Sequence, residues 1–486
     1  MIETKTMMTR VFAFIRMFCI ILSIIATFFL IPIGTAFFLG ESIAIKPFLI
    51  PLICMWIPGV VLYYAGKRLK VKMGTREVFV FVSFAWVAIS VFGALPLYIG
   101  GWVSNFTDAV FEGVSGFTTT GATIITDLEI IPRSVNLWRM EMHWLGGMGI
   151  IALTTAILPL LGIGGFNLVK AESTGPEKGK ITPKMANTAK ALWTIYFVLT
   201  ALETVILMFC GMDFVDALGH AFSTLGTGGF SSRNASVGGF ENLSVEIVCT
   251  VFMFLAGVNF SLYFYLLTGK FEEIKNNSEL KAYVSIFVIV ILCLTLTLVK
   301  YYGGFGTALR YASFQAASIM STTGFGTADF THWPPAAQFF IFMLFFIGGC
   351  SGSTSGGFKV IRWVILSKKA KTEMLRMLHP HGVFSVRVDG AGGRNDLVLN
   401  IAAFIYVYLL LAFITTFVGT VGGLDVFQSF TASLSMLGSI GPAFGPFSEY
   451  SWIPGFVKWW YCFVMIAGRL EIYNLVILFT RAFWKK

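Results

Sequence analysis

The sequence predicts an all-α polytopic membrane protein of ten transmembrane helices, with four helix–P-loop–helix repeats around one pore and two extra helices at the N-terminal end. Three observations predict it. Of 486 residues, 56% are hydrophobic and 12% charged, against about 45–50% apolar and about 25% charged in soluble domains. Apolar runs of roughly 20 residues, enough to cross a hydrocarbon core, recur ten times along the chain. Four of the segments between them carry a Gly/Thr/Ser cluster in one shared register.

The ten runs are 17–40, 47–66, 78–99, 142–161, 191–212, 247–269, 282–299, 336–358, 397–420 and 455–480. The first is too long for the apolar part of a signal peptide and lacks a small-residue cleavage site after it, so it is read as a helix. Seven cysteines stand singly in apolar runs, which speaks against a disulfide framework or a zinc site. The formal net charge is +10, and its placement excludes nucleic acid as the explanation. With the N-terminus in the cytoplasm, the inner segments hold 27 Lys/Arg and the outer segments 7. That is a positive-inside bias with both termini cytoplasmic, as in a multi-pass protein of the cytoplasmic (inner) membrane. The outer segments also carry 13 Asp/Glu, so the external mouth is expected to be acidic and to concentrate cations.

Residues 1–72 then hold the two extra helices, and the four repeats divide as 73–169, 170–269, 270–366 and 367–486. Each repeat encloses an external segment, 100–141, 213–246, 300–335 or 425–454, of similar length, which indicates duplication. The clusters are Thr118-Thr119-Thr120-Gly121, Gly226-Thr227-Gly228-Gly229, Ser321-Thr322-Thr323-Gly324 and Gly438-Ser439-Ile440-Gly441. Thirteen residues before each final glycine stand Asp108, Asp216, Tyr311 and Gln428, each followed by a small residue. About ten residues of helix span roughly 15 Å, half of the hydrocarbon core, so each stretch must enter and return on one side. Asp108 and Asp216 stand where N-caps are expected.

Non-helical backbone at that depth is tolerated only where it lines a water-filled cavity. Four such backbones around one axis supply carbonyl rings able to replace the hydration shell of a monovalent cation, and threonine or serine hydroxyls can add a further oxygen ring. The filter is therefore expected at Thr119, Thr120, Gly121, Thr227, Gly228, Gly229, Thr322, Thr323, Gly324, Ser439, Ile440 and Gly441. Replacing Gly121 with serine is expected to admit Na+, and Gly324→Ser to act similarly, whereas Gly226→Ser, three residues before a filter glycine, is expected to matter less to selectivity. The competing reading of any single cluster is an external turn.

These residues resemble the Trk/Ktr/HKT superfamily of K+ transporters, and within it the Trk-type membrane subunit. The likeness covers nearly the whole chain. It is carried by Gly116-Phe117-Thr118-Thr119-Thr120-Gly121-Ala122-Thr123, by His143-Trp144-Leu145-Gly146-Gly147-Met148-Gly149, by Gly348 to Gly357 with Lys359, and by Gly468-Arg469-Leu470-Glu471. The resemblance implies K+ as the transported ion with no organic cofactor, a homodimer with one pore per protomer, and a cytoplasmic ring of nucleotide-binding, TrkA-like regulatory subunits. It also implies K+ selectivity from glycine at all four filter positions. Gly438-Ser439 departs from the two asparagines often found there, which leaves open a less selective K+/Na+ channel.

The run Gly348-Gly349-Cys350-Ser351-Gly352-Ser353-Thr354-Ser355-Gly356-Gly357 interrupts the span 336–358. Each glycine costs about 1 kcal/mol of helix propensity relative to alanine, so the helix is expected to break there into an intramembrane gating loop, with Arg469 donating to its carbonyls. Close helix packing through the small-xxx-small pairs is the alternative. Glu203 is read either as an intramembrane ion site or as a paired group. His143 and His220 are read as packing residues, and Gly146-Gly147-Met148-Gly149 as close helix contact. The basic segment 359–396 suits a regulatory partner or anionic membrane lipids. Two rival functions fit a polytopic chain. A membrane enzyme would need clustered catalytic polar groups, which the spans lack. A Na+- or H+-coupled K+ carrier would favour inverted repeats, whereas all four here share one orientation.

Overall fold

The computed structural model describes residues 2–66, 74–149, 185–382, 384–389, 391–392 and 395–485. Helix dominates, because in hydrocarbon every backbone N–H and C=O must be satisfied within its own segment. Among the described residues the exception is a two-stranded antiparallel ribbon, Arg387–Val388 against Ala391–Gly392.

Six helices are long and apolar enough to cross a membrane unbroken: Val11–Leu39, Ser42–Ala65, Arg76–Ile99, Ala189–Phe209, Ser278–Tyr302 and Leu397–Val421. They coincide with six of the ten expected runs. Large apolar side chains on them, Phe38, Phe209 and Leu296 among others, stand exposed. In water such a surface would be an aggregation hazard; in a bilayer it is the lipid-facing side. The chain is an all-α polytopic membrane protein.

The other four runs require a correction, because none is one straight span. Leu243–Ala256 turns by 93° into Phe260–Leu267, and Gly455–Arg469 turns by 114° into Tyr473–Phe479. Pro335–Leu344 stops, and helix resumes only at Val360. Arg133–Gly147 ends before Met148, and the remainder of the run 142–161, from 150 on, lies outside the described residues. The breaks fall beside Gly149, Gly257 and Gly348-Gly349, where helix propensity is lowest. In the fourth unit Glu471 and Ile472 make the break, with φ of 57° and 55°.

Each unit therefore consists of a full-length helix, a short helix and a truncated second helix. The short helices are Phe106–Phe117, Phe214–Gly226, Phe305–Met320 and Val426–Gly438, here called the first to fourth pore helices. Their apolar side chains, Val114, Phe117, Leu225, Ile319 and Leu437 among them, are buried in the protein core.

Candidate functional site

The pore helices are longer than the ten residues expected, at 12, 13, 16 and 13 residues. Their caps accordingly lie upstream of the expected positions. Asn105 accepts from Thr107 N, Asp213 from Val215 N and Asp216 N, and Asp425 from Phe427 N. Asp108 and Asp216 sit in the first turn instead, and Tyr311 and Gln428 lie inside their helices. Asp108 pairs with Lys458 of the fourth unit at 2.7 Å, and Asp216 with Arg133 of the first at 3.4 Å.

All four pore helices end alike. The third cluster residue donates its N–H to a serine carbonyl five positions back: Thr120 to Ser115, Gly228 to Ser223, Thr323 to Ser318 and Ile440 to Ser435, at 2.9–3.0 Å. This 6→1 bond satisfies a carbonyl that a helix end otherwise leaves orphaned. The second residue is left-handed in every copy, with φ of 56° at Thr119, 53° at Thr227, 58° at Thr322 and 53° at Ser439. The final glycines are left-handed too, at 78°, 80°, 85° and 95° for Gly121, Gly229, Gly324 and Gly441. Left-handed backbone costs non-glycine residues roughly 1–2 kcal/mol, and such strain concentrates at functional sites. One shared serine, six residues before each filter glycine, was legible in the sequence but was not singled out there.

The four clusters close into a ring. A Cβ placed on Gly121 would lie 2.0 Å from the Gly228 carbonyl oxygen, and one on Gly229 would lie 2.1 Å from that of Thr323. One on Gly324 would lie 2.1 Å from the Ile440 oxygen, and one on Gly441 2.6 Å from that of Thr120. Each glycine thus abuts the third-position carbonyl of the next unit, first to second to third to fourth and back to first. Tyr450 links the closing pair, its N–H donating to the Thr123 carbonyl and its hydroxyl to that of Gly441, both at 2.8 Å.

The hydroxyls divide into two sets. Thr118 and Thr120 face each other at 2.8 Å, as do Ser321 and Thr323 at 2.7 Å, so these third-position hydroxyls are engaged with their own clusters. The second position carries a hydroxyl in all four units, and those of Thr119 and Ser439 are buried with no hydrogen-bond partner among the described residues.

Residues 345–359 form a loop without helix, so the break occurs as expected but begins three residues before Gly348. Gly356 N donates to Thr322 Oγ1 at 2.7 Å, and a Cβ on Gly356 would lie 2.3 Å from the Gly438 oxygen. The loop thereby touches the third and fourth clusters. Cys350 N donates to the Gly257 carbonyl at 2.8 Å and Phe260 N to that of Gly352 at 3.0 Å, which anchors the loop in the break of the second unit. Glu279 Oε1 accepts from Ser351 N at 2.7 Å and Ile361 N at 3.0 Å. Arg469 Nη1 donates to the Thr354 carbonyl at 2.9 Å, while Nη2 donates to the Gly146 carbonyl and, at 2.7 Å, to that of Gly147. Glu471 pairs with Arg362, just past the loop. Lys359 donates to the Ser355 carbonyl.

The remaining polar residues are placed as follows. His143 Nδ1 lies 3.1 Å from Ser223 Oγ. His220 bonds the Asp216 carbonyl and Ser231 Oγ, both at 2.8 Å; both histidines pack as read. Gly146 abuts the Phe117 carbonyl, where a Cβ would lie 2.0 Å away, and Gly468 abuts that of Leu437 at 2.2 Å. Glu203 is fully buried on Met185–Phe209.

Four units whose short helices end in left-handed glycine turns closed in a ring, with an irregular loop held against two of them, define a membrane protein of the transport class. A family model described as TrkH, cation transport protein, matches residues 44–486, and the chain belongs to that family. It is a transporter and not an enzyme. It is 38% identical over 438 residues to "Trk system potassium uptake protein TrkH" of Halomonas elongata, covering 88% of this chain and 90% of the relative. It is 35% identical over 434 residues to the protein of the same name from Escherichia coli, with the same shares. The crystal structure of the potassium transporter TrkH from Vibrio parahaemolyticus matches with a TM-score of 0.87 at 33% identity, covering 98% of this chain and 99% of that one.

Proposed function

We propose that this chain takes up K+ across the cytoplasmic membrane through one selective pore. Its filter consists of Thr119, Thr120, Gly121, Thr227, Gly228, Gly229, Thr322, Thr323, Gly324, Ser439, Ile440 and Gly441. One observation carries the reading: the closed cycle in which each filter glycine abuts the next unit's carbonyl. A ring of backbone oxygens at fixed spacing is what replaces a cation's hydration shell. The names of the relatives, potassium uptake proteins, support K+ as the ion.

Within the same reading, the loop Gly348 to Gly357 is the gate. Arg469 holds it shut by donating to the Thr354 carbonyl and sets a positive charge against cation passage. The sequence divides into the extra helices 1–72 and the repeats 73–169, 170–269, 270–366 and 367–486. The protein works as a homodimer with both termini cytoplasmic and with a cytoplasmic nucleotide-binding regulatory partner.

Uptake into proteoliposomes under an imposed gradient, compared for K+, Rb+ and Na+, tests this function. K+ and Rb+ should enter well ahead of Na+. Equal Na+ entry would remove selectivity, and uptake that required an added H+ or Na+ gradient would replace the channel by a coupled carrier.

A further inference from the structure

Beside the first filter lies a fully buried ion pair that the conduction pathway does not itself use. Glu112 stands on the first pore helix, nine residues before Gly121. Its Oε2 accepts from Ile124 N at 2.7 Å and its Oε1 from Thr123 Oγ1 at 3.0 Å. It therefore grips the strand that leaves the first filter. Arg139, on the second helix of the same unit, donates Nε to Glu112 Oε1 at 2.7 Å and Nη2 to Thr123 Oγ1 at 3.0 Å.

Arg139 also reaches the second unit. Its guanidinium lies 4.2 Å from the ring centroid of Phe230, the residue after the second filter glycine. Its Nη1 donates to Asn136 Oδ1 at 3.1 Å and reaches the Ser231 carbonyl at 3.4 Å. Phe230 also stacks against His143, with centroids 4.1 Å apart. Neither Glu112 nor Arg139 has exposed side-chain surface.

The other units tie their outgoing strands with neutral groups. At the position nine before the filter glycine, His220 bonds Ser231 Oγ at 2.8 Å, and Gln315 Nε2 donates to the Ala328 carbonyl at 2.9 Å. In the fourth unit that position is Ala432, and its neighbour Thr431 accepts from Phe444 N at 3.2 Å. Among the described residues only the first tie is an ion pair; the neutral tie of the second unit also reaches the next unit, where His220 stacks on Phe325 with ring centroids 5.7 Å apart, but it carries no charge-assisted bond to a carboxylate.

We propose that Glu112 and Arg139 are positioning residues that hold the first and second filter strands at a fixed separation and thereby set ion discrimination. The inference rests on the filter reading above. A carbonyl ring selects by the number and spacing of its oxygens, and a ring free to contract would accommodate the smaller Na+. Charge-assisted bonds in a dry, low-dielectric site resist displacement more than neutral ones. One such pair joining the first and second strands stiffens one of the four seams of the ring.

The test is the Rb+/Na+ flux ratio in proteoliposomes for Glu112→Gln, Glu112→Asp, Phe230→Leu and Thr123→Val, with Gly121→Ser run beside them. Glu112→Gln and Phe230→Leu should each lower the ratio by about tenfold, in keeping with the loss of one charge-assisted contact. Glu112→Asp should retain part of it, and the Rb+ flux should change less than the ratio. An unchanged ratio in both variants, with Gly121→Ser lowering it, would sink the positioning role and leave the filter standing. If Gly121→Ser were also without effect, the filter reading would fall and this inference with it. Should Glu112→Gln not reach the membrane, Phe230→Leu and Thr123→Val decide, since neither leaves an uncompensated buried charge.

Discussion

A single methyl group is enough to distinguish the four filter glycines. The Cβ distances to the neighbouring carbonyl are 2.0 Å at Gly121, 2.1 Å at Gly229 and Gly324, and 2.6 Å at Gly441. At φ above zero, a side chain adds backbone strain to that collision. Gly121→Ser should therefore lower the Rb+/Na+ flux ratio markedly, whereas Gly441→Ala, with the most room, should lower it least of the four. A series of alanine variants measured by flux ratio checks the order; equal effects at all four would contradict the packing argument. At Gly226 a Cβ would lie 2.5 Å from the His143 carbonyl. Gly226→Ser should disturb the helix contact, read as lost thermal stability in detergent, with less effect on ion preference.

Among the elements, the loop 345–359 is held by backbone bonds to neighbouring segments and by bonds with full charge from Glu279, at Ser351, and from Arg469, at Thr354. Removing its guanidinium frees the carbonyls of Thr354, Gly146 and Gly147 together. Arg469→Ala should raise the K+ flux and leave the Rb+/Na+ ratio unchanged, because the proposed filter lies elsewhere. A variant that folds and reaches the membrane yet conducts no faster than the parent would leave the glycines as packing alone. Glu279→Gln should act in the same direction more weakly. The carboxylate that accepts from Ser351 and Ile361 is replaced by a neutral acceptor of the same shape, and bonds to charged groups are the stronger ones.

Over the whole molecule, all four seams between units carry an ion pair among the described residues: Arg133 with Asp213, Arg310 with Glu246, Arg362 with Glu471, and Lys458 with Asp108. The seam between the third and fourth units is aromatic as well, with Phe342 against Phe427, Phe430 and Phe444. Lys458 and Asp108 are the better buried of the linking pairs, with side-chain exposures of 6% and 15%. A double-mutant cycle on them, read by thermal unfolding in detergent, should give a coupling of about 0.5–3 kcal/mol. Additive losses would mean the seam does not depend on the pair. Topology is tested separately. Cysteines at Lys275 and Lys371, in a cysteine-free background, should resist an impermeant thiol reagent applied outside intact cells; labelling at either would reverse the threading.

The hydrophobic runs, the charge asymmetry and the register of four glycines were all decided by local composition, so the all-helical membrane class, the six unbroken spans and the cluster positions could be read directly from the chain. The break at Gly348 to Gly357 was legible for the same reason, since glycine disfavours helix wherever it stands. The caps were not, because Asn105, Asp213 and Asp425 are one turn further out than a ten-residue helix allows, and only packing fixes helix length. Nothing in the sequence joins Gly121 to Gly228 or Gly441 to Thr120, nor Glu112 and Arg139 to Phe230. Those contacts exist because four segments remote in the chain converge on one axis, and long-range convergence leaves no periodicity behind. The truncation of the second helices in the first, second and fourth units belongs to the same class. Their apolar runs are long enough for a straight span, and it is the neighbouring units that take up freed carbonyls, as Arg469 does for Gly146 and Gly147.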